Sequence, residues 1–537
     1  MAKQYSSRFI PLIISVGIVI GILLGSFFAT HFAGHRLNLL NASSNKISDL
    51  LHLIDDQYVD TVDMADLVEK SLPCILRELD PHSAYISAEE VEATMEELNG
   101  SFSGIGIQFT IYEDTVRVVR VIEGGPSESV GLKAGDRIVK VGNTNITGKA
   151  YDNDKVMKVL KGTSGSKINL QVMRAGHKGL LSYTITRGSV PVKSVDAAFM
   201  LNPTTGYMRI KNFGDATYAE FLNAMARLNQ HGMSSLVIDL RGNPGGYMEA
   251  AVQICNEFLP AGRLIVYTQG RRSPRRDYKS DGRGVYQSIP LVVLVDETTA
   301  SAAEIMSGAM QDNDRATIIG RRTFGKGLVQ VPIEFRDGSM LRLTQARYYT
   351  PSGRCVQKPY TPGDESDYEM DLIERDFSGE YYSADSIKTS GKKYKTRLGR
   401  TVYGGGGIIP DTFVPRDTLG MTSYFKEAYM RGLLNSFAYY YTDNHRARLD
   451  RMNKEQDVAS YLRSHHIVDA FATFAERNGL KRRNNLIQQS YHLFETHLTS
   501  YIIADVLGVE DAARYVCHTD PAVLKALKVL TPKKRQK

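Results

Sequence analysis

The chain has 537 residues, of which 42% are hydrophobic and 23% charged, with a formal net charge of +7. This length exceeds one hydrophobic core, so several domains are expected, and the composition is that of a globular protein. The positive excess is small and scattered in patches such as Arg271–Arg276, so nucleic acid is not expected as a partner.

The four cysteines lie far apart and show no paired C-x-x-C spacing; they are Cys74, Cys255, Cys355 and Cys517. This argues against a zinc site and against a small disulfide scaffold. We therefore expect no metal and no cofactor. One or two disulfides in an oxidising compartment stay open beside the alternative of reduced, buried thiols.

The N-terminal region carries an apolar segment, Ile10–Phe28, that follows the basic residues Lys3 and Arg8 and contains no charge. A stretch of this length can cross a bilayer, and the positive flank orients its N-terminal end toward the cytoplasm. We predict a signal anchor over residues 1–35. Cleavage near Ala29–Gly34 is the alternative.

Residues 36–100 are expected to form an N-terminal helical segment without chemistry of its own. Ser87 and Glu90 form a capping box for a helix that Gly100 would end. Other apolar residues recur at helix spacing, namely Ile47, Leu50, Leu51 and Ile54.

Residues 101–189 are expected to form a compact β-rich module with one helix, Asp152–Leu160. The predicted strands are Val116–Ile122, Arg137–Val141, Lys167–Arg174 and Leu181–Thr186. Gly104 and Gly106 free the backbone at a strand edge, so N–H groups can converge on a carboxylate there. The predicted site for a peptide tail with an apolar last residue is Gly104, Ile105, Gly106 and Ile107.

Residues 190–415 alternate strands with helices, which predicts an α/β core. The predicted elements are strands at Gly206–Ile210, Leu236–Leu240, Leu291–Val295, Thr317–Ile319 and Met340–Tyr348 and helices at Tyr218–Leu228 and after Ser301. Residues 416–537 are expected to be a helical extension with a basic tail. One apolar stripe there contains Ile487, Tyr491, Phe494, Leu498 and Ile502.

Two turns follow predicted strands of the core. The first contains Gly245 and Gly246, whose N–H groups could hold an oxyanion, although a plain tight turn explains the same residues. In the second, Ser301 stands where a loop becomes a helix, and the N–H of Ala302 is free to donate. The alternative for Ser301 is an ordinary N-cap, because Glu304 completes a capping box.

Lys326 lies between two glycines directly after a strand. A lysine removed from water has a depressed pKa and can act as a general base on a hydroxyl. Gln330 could orient the lysine amine, or could be an exposed strand residue. No histidine occurs between His231 and His445, and Ser301 is not in a Gly-x-Ser-x-Gly elbow.

At these residues the sequence resembles the carboxyl-terminal processing peptidases, or tail-specific proteases, over about Tyr58 to Asp411. The shared motifs occur in order at Leu79–Ser83, Phe102–Gly106, Asp239–Gly246, Thr299–Glu304, Phe324–Gln330 and Tyr403–Asp411. The resemblance implies a multidomain α/β fold, with a core like those of crotonase and Clp protease and an inserted PDZ domain.

The same resemblance implies a Ser-Lys peptidase that acts on proteins with free C-termini. Ser301 is then the nucleophile, Lys326 the general base and Gln330 its support, with oxyanion donors at Ala302 and at Gly245–Gly246. The anchor would place the catalytic part in the periplasm of a bacterial cell. An inactive tail-binding adaptor is the rival interpretation, and an activating partner or a homo-oligomer stays open.

Overall fold

The computed structural model describes residues 15–22, 42–99, 101–112, 114–148, 151–174, 176–364, 366–389 and 391–531. The chain divides into two compact units, residues 1–75 and 76–537. The first contains helix α1 (Ala42–Gln57) and most of α2 (Met64–Arg77). No helix among the described residues has the length and apolar character to cross a bilayer. The predicted anchor lies outside them except for residues 15–22.

The second unit begins with β1 (Ala84–Ile86) and α3 (Ala88–Asn99) and continues into a β-rich module. Its strands and helices are β2 (Ser101–Gly104), β3 (Ile107–Tyr112), β4 (Thr115–Val121), α4 (Pro126–Ser129), β5 (Arg137–Val141), β6 (Thr144–Asn145), α5 (Asn153–Leu160), β7 (Lys167–Met173), β8 (Leu180–Thr186) and β9 (Gly188–Pro191). The predicted strands and the predicted helix therefore form, each within two residues of its expected bounds. Apolar residues from the strands and from helix α5 form the buried core of this module. They include Val118, Ile138, Val156, Leu170 and Ile185.

The sheet of this module has the order β3-β4-β5-β7-β8, with β6 paired to β5. Strand β3 therefore lies at an edge of the sheet. An edge strand presents unpaired backbone groups to which an extended peptide can add.

The α/β core contains a sheet of order β10-β11-β12-β15-β16-β21, antiparallel at its first pair and parallel beyond it. Its elements are β10 (Val195–Met200), β11 (Thr205–Ile210), α6 (Thr217–Gln230), β12 (Ser235–Asp239), α7 (Met248–Phe258), β15 (Leu291–Val295), α8 (Ala302–Asp312), β16 (Thr317–Gly320) and β21 (Thr412–Phe413). The central strands β12 and β15 are buried along their whole length. This burial explains their continuous apolar sequence and confirms the predicted α/β class.

A second, antiparallel sheet of order β1-β18-β13-β14, with β17 on β18, packs beside the core. It contains β13 (Leu264–Gln269), β14 (Arg276–Lys279), β17 (Leu328–Glu334) and β18 (Met340–Tyr349). Only β18 was predicted. The pairing of β1 with β18 brings residues just after α2 beside the loop that precedes β17.

The rest of the chain is one small ribbon, β19 (Lys393–Lys395) with β20 (Thr401–Tyr403), and helices before and after it. The helices are α9 (Ser366–Phe377), α10 (Ser423–Met430), α11 (Leu433–Leu449), α12 (Glu455–Ser464), α13 (Ile467–Arg477), α14 (Asn484–Gln489), α15 (Tyr491–Val506), α16 (Val509–Cys517) and α17 (Pro521–Leu530). The predicted stripe of Phe494, Leu498 and Ile502 is buried, but Ile487 belongs to the preceding helix because the chain turns at Ser490. The basic tail after Thr531 lies outside the described residues.

The C-terminal helices contact both the β-rich module and the core. Asp443 of α11 forms ion pairs with Arg117 and Arg137 of the module, at 3.1 and 3.5 Å. Asp520, at the start of α17, accepts from Arg241 at 2.8 Å, in the turn that follows β12. The extension therefore joins the module to a turn of the core.

Candidate active site

Ser301 stands at the carboxyl edge of the parallel sheet, between β15 and α8. Its backbone has φ +54° and ψ −118°, a region that side-chain-bearing residues rarely occupy. The loop is held in place by the turn after β12, since the N–H of Ala300 donates to the carbonyl of Asn243 and the Thr299 hydroxyl donates to the carbonyl of Leu240. Backbone strain kept by surrounding bonds is a frequent property of functional residues.

Gly245 lies directly against Ser301. A Cβ at Gly245 would be 2.6 Å from the Ser301 Cβ, so the position leaves no room for a side chain. At Gly246 a Cβ would be 2.2 Å from the Phe213 carbonyl oxygen. Both glycines also have positive φ, 106° and 131°. The glycine pair therefore allows the turn to approach the serine closely.

The expected oxyanion donors are only partly available. The N–H of Gly245 donates to the Asn243 side chain at 2.8 Å, within its own turn, so its role as an oxyanion donor stays a prediction. The N–H groups of Gly246 and Ala302 have no partner among the described residues. A Cβ at Gly245 would be 3.0 Å from the Ala302 nitrogen, so the Ala302 N–H lies close to the Gly245–Gly246 turn.

Glu304 is the polar centre of the site. Its buried carboxylate accepts from the backbone N–H groups of Ser301 at 3.0 Å, Gly325 at 2.8 Å and Lys326 at 2.8 Å, and from the Thr323 hydroxyl. Burial raises the pKa of Glu304 to about 7, against the lowering effect of these donors. One carboxylate thus connects the two loops that carry the predicted serine and lysine. The sequence analysis had given Glu304 only the part of the second residue in a capping box with Ser301.

Lys326 is half-buried, and burial lowers the pKa of its amine to about 8, with the charge of Arg342 acting in the same direction. Tyr348 connects Lys326 to Ser301 a second time, because its hydroxyl is 2.6 Å from the Lys326 carbonyl oxygen and 3.1 Å from that of Ser301. Among the described residues, no hydrogen bond joins the Lys326 amine to the Ser301 hydroxyl.

Gln330 lies on β17, where the pairing with β18 shifts by one residue between Val329 and Gln330. Such a bulge redirects a side chain. The Gln330 amide donates to the Thr344 hydroxyl at 3.1 Å, and no hydrogen bond between Gln330 and Lys326 is present among the described residues. The expectation that Gln330 orients the lysine directly is therefore not met in this conformation.

Residues Asp80–Ser83 also lie at the site, although the sequence analysis named them only within the shared motif Leu79–Ser83 and gave them no role. Asp80 accepts from Thr344, the partner of Gln330, at 3.0 Å, and from the Ser83 hydroxyl at 2.6 Å. Burial and the nearby charge of Lys326 lower the pKa of His82 to about 3. These contacts join the end of segment 36–100 to the candidate site, and the absence of any chemistry of its own in that segment stays a prediction. The sequence signal for these contacts was the polar run Asp80–Ser83, which follows α2 and is not part of that helix.

The predicted tail site, Gly104–Ile107, connects β2 to β3 and is buried throughout. The carbonyls of Ile105 and Gly106 accept from Ser127 and Ile122 at 2.9 and 3.0 Å, whereas the N–H groups of both residues have no partner among the described residues. Gly106 has φ +75° and packs against Gly125. The side chains of Ile105 and Ile107 join the apolar core beside α5.

Three family models match regions of this chain. Residues 204–370 match peptidase family S41, residues 103–185 match the PDZ domain, and residues 424–508 match a family of unknown function, DUF8443. The PDZ match covers the β-rich module with the Gly104–Ile107 loop. The S41 match contains Gly245, Ser301 and Lys326.

Two curated relatives are bacterial proteases. The carboxy-terminal-processing protease of Bartonella bacilliformis is 34% identical over 319 residues, which are 58% of this chain and 72% of the relative. The carboxy-terminal processing protease CtpA of Bacillus subtilis is 32% identical over 315 residues, 58% of this chain and 66% of the relative. Among solved structures, a photosystem II D1 C-terminal processing protease is 29% identical. The match covers 60% of this chain and 92% of that protein, with a TM-score of 0.33.

Replacing Gly245 by alanine should displace Ser301, because the new methyl group would lie 2.6 Å from its Cβ. We expect labelling of Ser301 by a fluorophosphonate to slow by about 100-fold, the typical cost of misplacing a reactive group by ~1 Å. Gly242→Ala is the matched control, since Gly242 also has positive φ (+74°) but no atom within 4 Å of its Cβ position. Equal slowing in both variants would contradict the close-approach argument.

Proposed function

Because the chain belongs to the S41 family of carboxy-terminal-processing serine peptidases, we propose that it cleaves proteins with a Ser301–Lys326 dyad after its PDZ domain has bound their free C-termini. The observation that carries this proposal is the double connection between the two residues through Glu304 and Tyr348. A lysine amine with a pKa of about 8 is a suitable base near neutral pH.

In this mechanism the neutral Lys326 amine takes the proton from Ser301 as its oxygen attacks the peptide carbonyl. The N–H groups of Gly246 and Ala302 then donate to the oxyanion that forms. The protonated Lys326 then gives this proton to the departing amine of the substrate. The neutral Lys326 amine next takes a proton from a water molecule, which attacks the acyl group and releases it from Ser301. Gln330 supports the lysine through the Thr344–Asp80 chain, or directly once its amide leaves Thr344.

The PDZ domain holds the substrate tail in the same proposal. The free N–H groups of Ile105 and Gly106 receive the terminal carboxylate, and the substrate adds as a strand along the exposed edge of β3. An apolar last residue packs near Ile105 and Ile107, beside α5. The relatives are bacterial, and we propose that residues 1–35 anchor the chain in the inner membrane with the peptidase in the periplasm.

The dyad makes a prediction about rate and pH. Ser301→Ala and Lys326→Ala should each lower kcat/KM on a tail-bearing protein by at least about 10³-fold. In the wild type, kcat/KM should rise with pH and level off above about 8, because only the neutral amine acts as a base and its fraction grows as the pH approaches its pKa.

The controls for this experiment are Ser288→Ala and Lys426→Ala, at exposed positions. Both should keep the wild-type rate. A Lys326→Ala enzyme with substantial activity at neutral pH would exclude the lysine as the base. A wild-type chain without activity on any tail-bearing substrate would favour the adaptor.

Tail recognition predicts that a substrate peptide with an amidated C-terminus binds Ser301→Ala protein about tenfold more weakly than the free acid, because a charge-assisted hydrogen bond is lost. Gly106→Ala should have a similar effect, since a Cβ there meets Gly125 at 3.1 Å. Gly142→Ala is the control in the same domain, with positive φ and open space. Isothermal titration calorimetry measures both, and equal affinity for acid and amide would refute carboxylate capture at this loop.

A further inference from the structure

A cavity of about 560 Å³ lies beside the loop that carries Lys326, because its lining residues Gln357 and Lys358 bond to the neighbouring Gly327 and Gly325. We call it the basic recess. Its walls include Arg347 on β18, the segment that contains Cys355, Gln357 and Tyr360, and Lys392 and Tyr394 at the start of the β19–β20 ribbon. None of the roles proposed above uses these residues.

The basic recess adjoins the residues that flank Lys326. The N–H of Gly327, next to Lys326, donates to the Gln357 side chain at 2.7 Å, and the N–H of Lys358 donates to the carbonyl of Gly325 at 2.8 Å. Arg347 pairs with Leu328 in the sheet. Three lining residues of the recess, Gln357, Lys358 and Arg347, therefore contact the segment Gly325–Leu328 around Lys326 directly.

The recess carries positive charge without a compensating acid. No aspartate or glutamate is among its described lining residues. Arg347 is exposed, and among the residues that the structure describes its guanidinium bonds only to the Tyr360 hydroxyl, at 3.4 Å. Lys392 is exposed and lies 5.6 Å from the Tyr394 ring. Lys358, by contrast, is buried and already bonded to Asp371 at 3.0 Å.

The basic patch Arg271–Arg276 lies next to the basic recess and adds to its positive charge. Gln269, the last residue of β13, pairs with Arg347, so the β13–β14 turn begins beside the recess. Arg271 and Arg272 in that turn are exposed. Arg275 differs from them, because it is engaged with Asp277 at 2.7 Å. The turn therefore adds free positive charge at the rim.

We propose that the basic recess is a specificity subsite that binds an acidic side chain of the protein substrate near the cleaved bond. A carboxylate there would meet the guanidinium of Arg347 and the ammonium of Lys392, with the rings of Tyr360 and Tyr394 as an apolar wall. The pairing of guanidinium and carboxylate supplies directed hydrogen bonds in addition to attraction. This inference rests on the proposed peptidase function and names a class of substrate for it.

Cys355 provides a readout that does not depend on catalysis. It is partly exposed and lines the recess, whereas Cys255 and Cys517 are buried and Cys74 is exposed elsewhere. In full-length Cys74→Ser, Ser301→Ala protein, a sulfonatoethyl methanethiosulfonate should modify Cys355 faster than its trimethylammonium counterpart. Arg347→Gln with Lys392→Gln should lower this rate ratio by on the order of fivefold, the effect of weak exposed ion pairs.

The matched control is Lys393→Gln with Lys395→Gln, which likewise removes two positive charges, from strand β19 outside the recess lining. It should leave the ratio nearly unchanged. A tail-bearing peptide with glutamates should protect Cys355 from a neutral thiol reagent more strongly than its glutamine analogue does. Equal rates for the two charged reagents, or equal protection by the two peptides, would overturn the subsite. Because both measurements use Ser301→Ala protein, neither result depends on Ser301 being the nucleophile.

Discussion

The carboxylate of Glu304 is the interaction on which the rest of the site depends. It is fully buried, and it accepts hydrogen bonds from three backbone N–H groups and one hydroxyl. A charge in that position would be costly without such donors, and its pKa of about 7 shows that they offset burial only in part. Below that pH a proton would compete with the N–H donors, and the connection between the loops of Ser301 and Lys326 would weaken.

This carboxylate joins elements that are distant in the chain. The turn after β12 holds the Ser301 loop from one side, and β18 holds both loops through Tyr348 from another. The turn after β12 is in turn fixed by Arg241, which bonds to the buried Asp239 and to Asp520 of the C-terminal extension. The same extension contacts the PDZ domain through Asp443. A continuous set of contacts therefore connects the PDZ domain to the turn beside Ser301.

Local sequence was sufficient for the parts of the site that depend on glycine or on periodicity. The glycines around Lys326 and the Gly245–Gly246 pair mark close backbone approaches, and the apolar runs of β12 and β15 mark buried parallel strands. Contacts set by long-range pairing left no such signal. The bulge at Gln330 and the approach of Asp80 depend on which strands pair and in what register.

The most direct test of the Ser301–Lys326 pair is a crystal structure of the full-length protein with a peptidyl boronate bonded to Ser301. The account predicts the Lys326 amine within about 2.6–3.2 Å of the Ser301 oxygen, the boronate oxygen on the N–H groups of Gly246 and Ala302, and the Glu304 bonds intact. A boronate bonded to another residue, or a different base beside the Ser301 oxygen with Lys326 directed away, would contradict it.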